Sequence, residues 1–204
     1  LSGRLRDQGH GMSRSGVVPR LHAHAPEPVI EMNARDMERR SIAEGDLVTV
    51  RNKRGELRLR ASASATLRPA QTYIPMHWGG QFLNGLGINA LTPPTVDPVS
   101  RQPELKHAAV QIEKFATRWQ LLALRRDDTG SLHSALQPWL SRFARATLTL
   151  AGRAHGVVVL RAWGAAGSEP PSPELLTELL HSLGLDQPEL LAFDDRKRGI
   201  AKRA

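Results

Sequence analysis

The 204-residue chain has no cysteine. A disulfide framework, a thiolate zinc site, a cysteine nucleophile and iron–sulfur ligation are therefore excluded within it. The absence fits a reducing compartment and points to the cytoplasm. Aromatic residues are only 4% of the chain, so aliphatic side chains must do most of the packing. A hydrophobic share of 40% is enough to let them build a core. No apolar run approaches the ~20 residues that a membrane-spanning helix requires, so no membrane partner is expected. The N-terminus lacks the apolar stretch of a secretory signal. It begins with Leu1 and opens inside a Gly- and Arg-rich motif, which reads as the start of an excised piece.

Acidic residues are outnumbered by basic ones, giving a formal net charge of +8. The excess implies an anionic partner: nucleic acid, an acidic protein or a phosphate-bearing ligand. Residues 1–117 hold 16 Lys and Arg against 11 acids, and residues 118–204 hold 12 against 9. The charge is spread, with no dense basic arm, which weakens the nucleic-acid reading.

The pattern changes near Thr117, predicting domains at 1–117 and 118–204. In the first, Pro28–Met32 and Thr72–Met76 read as short strands, and Asn33 caps a helix over Ala34–Arg40. Leu47–Arg51 and Glu56–Ala63 flank the turn Lys53-Arg54-Gly55 as a hairpin. Ala108–Glu113 reads as a last strand. Many short strands with one short helix predict a closed β-barrel. The stretch from Trp78 to Lys106, rich in Gly and Pro, is long enough that a functional loop is expected. The second part orders as strand (Trp119–Arg125), helix (Ser131–Phe143), strands (Ala146–Leu150 and Val157–Trp163), helix (from Pro173, capped by Ser172, to the stop at Gly184) and strand (Leu190–Phe193). This βαββαβ order predicts a small α/β domain of ferredoxin-like plait type. Residues 194–204 read as a charged, flexible end.

Three stretches could carry chemistry. Gly3–Gly16 combines four glycines, which permit close backbone approach, with Arg4, Arg6 and Arg14, which can fork onto phosphate. A flexible basic terminus has the same composition. Asn89–Thr92 with Asp97–Lys106 sets amide, hydroxyl, carboxylate and amine groups among prolines, suited to reading a heterocycle edge and equally to making turns. Met76-His77-Trp78-Gly79-Gly80 places an aromatic beside two glycines. With His22 and His24 it matches no metal-ligand spacing, so no metal site is predicted. There is no Gly-x-Ser-x-Gly, His-Glu-x-x-His or Walker motif, and no catalytic residue is assigned.

Together, Arg4-Leu5-Arg6-Asp7-Gln8, His10-Gly11-Met12-Ser13-Arg14, Leu91-Thr92 and Asp97-Pro98-Val99-Ser100-Arg101-Gln102-Pro103-Glu104-Leu105-Lys106 resemble the C-terminal domain of the DMSO-reductase superfamily of molybdopterin oxidoreductases. They are most similar to the bacterial assimilatory nitrate reductases. The resemblance covers residues 1 to about 115 and implies a double-psi β-barrel over a bis-molybdopterin guanine dinucleotide cofactor. It implies cofactor contacts at Gly3, Arg4, Leu5, Asp7, Gln8, His10, Met12, Ser13, Arg14, His77, Trp78, Asn89, Gln102 and Lys106. Gly9 departs from the family, which often has Trp there. In such enzymes the molybdenum ligand and an iron–sulfur site lie elsewhere in the chain. The piece alone is thus expected to hold no cofactor and to be inactive, whereas the intact enzyme would reduce nitrate to nitrite.

The resemblance also implies partners: the rest of the polypeptide and an electron-donor protein or reductase subunit. Residues 118–204 match less well and read as a docking or spacing domain for electron delivery. The closing Arg198-Gly199-Ile200-Ala201-Lys202-Arg203 looks like the lead-in to an iron–sulfur module. One alternative is a formate dehydrogenase-like enzyme. Another is a basic module binding nucleic acid or protein, although its strands lack the aromatics that stack on bases.

Overall fold

A computed structural model describes residues 1–6, 8, 18–22, 24–127, 130–151, 156–185, 190–195 and 198–203. In chain order the elements are β1 (Ser2–Gly3), α1 (Pro19–His22), β2 (Val29–Asn33), α2 (Ala34–Arg39), β3 (Leu47–Asn52), β4 (Gly55–Ser64), β5 (Thr72–Pro75), a 3-10 turn (Gly87–Ala90) and β6 (Gln111–Lys114). They continue with β7 (Thr117–Arg126), α3 (Ser131–Leu136), a 3-10 helix (Gln137–Arg142), β8 (Arg145–Ala151), β9 (Val157–Ala165), α4 (Pro173–Ser182), β10 (Leu190–Asp195) and β11 (Arg198–Arg203). The contacts separate two compact units. The first holds Leu1–Gly9, Pro28–Gly80 and Gly85–Phe115. The second holds His10–Glu27, Gln81–Asn84 and Ala116–Ala204.

The first unit is one six-stranded sheet in the order β1-β5-β2-β4-β3-β6. Alternation drives it: Ile30 and Met32, Val48 and Val50, and Leu57, Leu59 and Ala61 are all buried at every second position. The β3–β4 hairpin forms because Asn52 Oδ1 accepts the backbone N–H groups of Arg54 (2.8 Å) and Gly55 (3.3 Å). Parallel pairing of β2 with β4, and of β1 with β5, makes the sheet more than a meander. The first of these crossovers contains α2, whose cap is Asn33, the side chain accepting Arg35 N–H at 3.0 Å. Asp36, buried on α2, accepts the N–H of Ala70 at 2.6 Å and fixes the approach to β5. The last strand is shorter than its sequence suggests. It starts at Gln111 rather than Ala108, because its partner β3 reaches the hairpin turn just past the Arg51–Gln111 pair.

The second unit has a wholly antiparallel sheet in the order β11-β10-β7-β9-β8. One face carries Trp119, Leu121 and Ala123, then Leu148 and Leu150, then Val158, Leu160 and Ala162. It packs on Leu136, Trp139, Leu140 and Phe143 and on Leu179 and Leu183 of α4. The helix expected over Ser131–Phe143 is two pieces. Pro138 has no N–H to give the carbonyl of Ser134, so that carbonyl is taken by Gln137 and the chain tightens into the 3-10 form. Ser172 caps α4, accepting Leu175 N–H at 3.3 Å, with Pro173 in its first turn. Residues 198–203, expected as part of a loose end, form β11 against β10.

Residues 18–22, 24–27 and 81–84 also belong here, although the sequence reading put them in the first domain. The reason is burial: His22 and Phe82 are both fully enclosed, their rings 5.6 Å apart, with His133 of α3 5.6 Å beyond Phe82.

Asp127 supplies the cap that Gly130 cannot. Its carboxylate accepts the N–H groups of Gly130 and Leu132, each at 2.9 Å. Asp127→Ala is expected to destabilise the second unit by about 1–2 kcal/mol. Urea unfolding followed by tryptophan fluorescence checks this, since Trp119, Trp139 and Trp163 all lie in that unit.

Candidate functional site

β1 is the hub of the first unit's candidate site. It lies parallel to β5, with Ile74 N–H donating to Leu1 O at 3.0 Å and Met76 N–H to Gly3 O at 2.9 Å. On its other side Ser2 N–H donates to Lys106 O at 3.0 Å, and the Ser2 hydroxyl donates to Leu105 O. Residues more than 100 positions apart in sequence are thus joined by main-chain bonds. Gly3 sits close under Tyr73: a Cβ would stand 3.2 Å from its ring. The Tyr73 hydroxyl in turn donates to Arg4 O at 3.2 Å, and partial burial raises its pKa above the ordinary phenol value, with Glu31 adding to the effect. A bridge between Leu5 and Gln8 closes the next turn and leaves Gln8 buried and Arg4 exposed.

β5 delivers His77 and Trp78. His77 takes a left-handed backbone, φ +77°, unusual for a residue with a Cβ. Trp78 is buried, and the 3-10 turn carrying Asn89 is laid against its carbonyl: a Cβ on Gly87 would fall 2.0 Å from Trp78 O. Asn52 holds the same turn from the hairpin side, its amide donating to Leu91 O at 2.7 Å. Asn89 is left exposed at the end of this clasp, with its carbonyl accepting the Thr92 hydroxyl at 3.1 Å.

The loop before Lys106 is preorganised. The Asp97 carboxylate accepts the N–H groups of Val99 (3.0 Å) and Ser100 (2.7 Å) and the Ser100 hydroxyl, which together hold its pKa below the usual carboxylate range. Glu104 is lowered similarly, chiefly by accepting Lys106 N–H at 2.8 Å and also by His107 N–H. Both acids brace the loop through its backbone, and the Lys106 side chain is exposed at its end. Gln102 stands on the exposed arm of this loop, tied to it through Asp97 N–H and its own carbonyl at 2.9 Å.

Of the candidate residues, Gly3, Arg4, Leu5, Gln8, His77, Trp78, Asn89 and Lys106 are linked through β1, β5 and the Gly87 clasp. Gln102 belongs to the neighbouring loop. Asp7, His10, Met12, Ser13 and Arg14 lie outside the described residues. The sequence reading missed Ser2, Tyr73 and Gly87, which hold the candidates in place. It also took Lys53 and Arg54 only as turn residues. With Arg40 they bring cationic groups to an open hollow of about 1170 Å³, whose one acidic wall residue among those described is Asp36. A second hollow, beside Lys106, Ile88 and Leu91, is only about 30 Å³, roughly the volume of one water.

Residues 1–109 match the Molydopterin dinucleotide binding domain. A nitrate reductase of Klebsiella oxytoca is 38% identical over 74% of this chain and 17% of that protein. A nitrate reductase of Synechocystis sp. is 35% identical over 54% of this chain and 16% of its own length. A periplasmic nitrate reductase of Desulfovibrio desulfuricans is 34% identical over 54% and 14%. The chain thus spans less than a fifth of each relative's length. The Klebsiella alignment is longer than the domain match, so part of the second unit also has a counterpart there. Two units of mainly β structure, the first built around the matched residues, make this chain a member of the molydopterin dinucleotide binding domain family and a homologue of nitrate reductases.

Proposed function

We propose that the chain is the cofactor-holding part of a molybdenum nitrate reductase of the assimilatory type, gripping bis-molybdopterin guanine dinucleotide through residues 3–14, 77–78, 89, 102 and 106. The observation that carries this is the bonding of β1 to Lys106 on one side and to the strand leading to His77 and Trp78 on the other. The donor set fits the group. A pterin edge calls for amide and imidazole partners, offered by Asn89, Gln102 and His77. Pyrophosphate calls for cations, offered by Arg4, Arg14 and Lys106. When bound, the molybdenum centre supplies the two-electron reduction of nitrate to nitrite, and the protein residues supply placement and charge.

The isolated chain has no turnover in this reading. Residues 1–117 form the cofactor domain as a double-psi barrel, to which the mixed parallel and antiparallel order gives support. Residues 118–204 are assigned as a ferredoxin-like plait. The order β10-β7-β9-β8, with helices after β7 and β9, supports that class, and β11 is an added edge. The plait faces electron delivery from a donor protein, with iron–sulfur clusters elsewhere in the longer enzyme. No helix among the described residues is long and apolar enough to cross a membrane. The cytoplasm is assigned from the lack of cysteine, against a relative named as periplasmic.

Two measurements test the reading. In the full-length enzyme, the double substitution Asn89→Ala with Lys106→Ala is expected to lower bound pterin at least tenfold without moving the unfolding midpoint, since both side chains are exposed. Unchanged pterin content would overturn the site. The isolated chain is expected to bind guanosine diphosphate only in the millimolar range by calorimetry, and micromolar affinity would contradict the view that it forms part of the cavity.

A further inference from the structure

Residues 105–114 join the two edges of the first unit's sheet. At one edge Leu105 and Lys106 are bonded to Ser2 of β1. At the other, β6 pairs with β3, and that pairing stops at Arg51 and Gln111. Residues 108–110, between the two, belong to neither ladder. Among the described residues their N–H and C=O groups make no hydrogen bond. An extended stretch with free main-chain groups is a ready template for another strand.

That stretch forms part of the wall of the open hollow of about 1170 Å³, together with residues 52–54 of the hairpin turn. A second hollow of about 460 Å³ shares Asn52, Lys53 and residues 109–111, so the chain is bare on more than one side there. The charge of the larger hollow is one-sided. Lys53 and Arg54 are exposed, and among the described residues their side chains have no acidic partner. Arg40 is engaged only in part, its Nη1 donating to Asp36 O at 3.1 Å and lying 3.8 Å from Asp36 Oδ1. Asp36 itself is buried, and its Oδ2 accepts the N–H of Ala70, which holds a left-handed backbone at φ +61°. This wall is therefore set before anything binds. None of the residues assigned to the cofactor lines the hollow.

We propose that the hollow is a docking site for an acidic, extended segment of a partner protein. The segment adds as a strand along residues 108–110, and its carboxylates meet Lys53, Arg54 and Arg40. Apolar side chains at its alternate positions rest on the half-buried Val110 and Ile112 of the wall. A chain suits the place better than a small anion. The cations come from two separate elements, the end of α2 and the β3–β4 turn, and the open hollow exceeds the ~300–1,000 Å³ of small-molecule pockets. The inference stands apart from the cofactor reading, and either can fail without the other.

The test uses a fluorescein-labelled peptide of alternating glutamate and valine, read by anisotropy on this chain and on the full-length enzyme. Lys53→Gln with Arg54→Gln is expected to weaken binding about tenfold. The turn keeps its form in that variant, because Asn52 Oδ1 holds it through the backbone. Arg35→Gln with Arg68→Gln removes the same charge from exposed positions off the hollow, and should change affinity less than about twofold. A peptide with proline in place of valine keeps its charge but loses half its N–H donors, and should bind about tenfold more weakly. Bound peptide should slow amide exchange at residues 108–110. Equal loss from the two charge pairs, full affinity of the proline peptide, or unchanged exchange at 108–110 would each overturn the proposal. So would displacement of the peptide by an equal concentration of inorganic pyrophosphate, which would make this a small-anion site. Binding by this chain but not by the full-length enzyme would also overturn it, since the enzyme's own polypeptide would then fill the hollow.

Discussion

Replacing Gly87 with alanine is expected to destabilise the first unit by about 3 kcal/mol or more, a large loss for the addition of one methyl group. Two costs add. The backbone there is left-handed, φ +63°, which costs a residue with a Cβ roughly 1–2 kcal/mol. The new Cβ would also stand 2.0 Å from Trp78 O and 3.1 Å from its carbonyl carbon, both main-chain atoms that cannot rotate away. Relief requires the turn Gly87–Ala90 to lift off Trp78, which pulls against the Asn52–Leu91 bond and displaces Asn89. The substitution should therefore lower pterin content in the full-length enzyme as well as stability. Gly79→Ala is the control within the same motif. Its Cβ would meet nothing within 4 Å, so a change of only about 0.5 kcal/mol is expected. Chemical denaturation of the pair measures the difference. Equal midpoints would mean that the clasp is not formed.

That clasp also marks where sequence reading stops. Periodicity was enough for β2, β4 and β7, which bury alternate residues, while β3, β5, β8 and β9 were legible from their β-branched and apolar runs and from bounding turns such as that of Asn52. It failed where structure is set by a distant partner. β1 is two residues long and exists because Ile74, Met76 and Lys106 supply its bonds. The Gln81–Asn84 strip carries no strand pattern and is ordered by β8. Proline at 138 was in plain view, yet the apolar spacing of Leu132, Leu136, Trp139, Leu140 and Phe143 suits a 3-10 continuation as well as an α-helix over so short a span.

The candidate site was legible in kind but not in layout. Composition left the basic, glycine-containing segment open between a ligand loop and a plain terminus, and the amide- and proline-bearing loop open between ligand reading and turns; the family resemblance alone assigned cofactor contacts to both. No local pattern says that Ser2 bonds Lys106, or that Gly3 sits close under Tyr73. The basic groups of Arg40, Lys53 and Arg54 were scattered over a helix and a turn, and only folding brings them to one hollow. His22 was weighed as a metal ligand and set aside. It is instead fully buried with its ring against Phe82, a fate that a lone histidine in sequence does not announce.

Acid should loosen the second unit for the same reason. Burial holds the His22 pKa down to about 4, with the neighbouring His133 adding to the effect. His133 is also lowered, mainly by burial, against an opposing hydrogen bond with the Leu148 backbone and the nearby Asp127 carboxylate. Above pH ~6.5 both imidazoles are neutral whether the chain is folded or not, and proton binding does not bias the equilibrium. As pH falls from 6.5 toward 4, the unfolded chain takes up a proton that folded His22 refuses, so stability is lost through that window and the loss is complete below about 4. For a fully buried ring the loss is about 3 kcal/mol from His22. Asp127 opposes the lowering at His133, whereas at His22 both burial and the neighbouring His133 act downward. His22→Leu is expected to flatten the stability profile between pH 6.5 and 4.5 while leaving carboxylate-driven loss below that range intact. Urea denaturation of the wild type and variant, read by the fluorescence of Trp119, Trp139 and Trp163, measures the difference, and parallel profiles would exclude His22 as the acid-sensitive group.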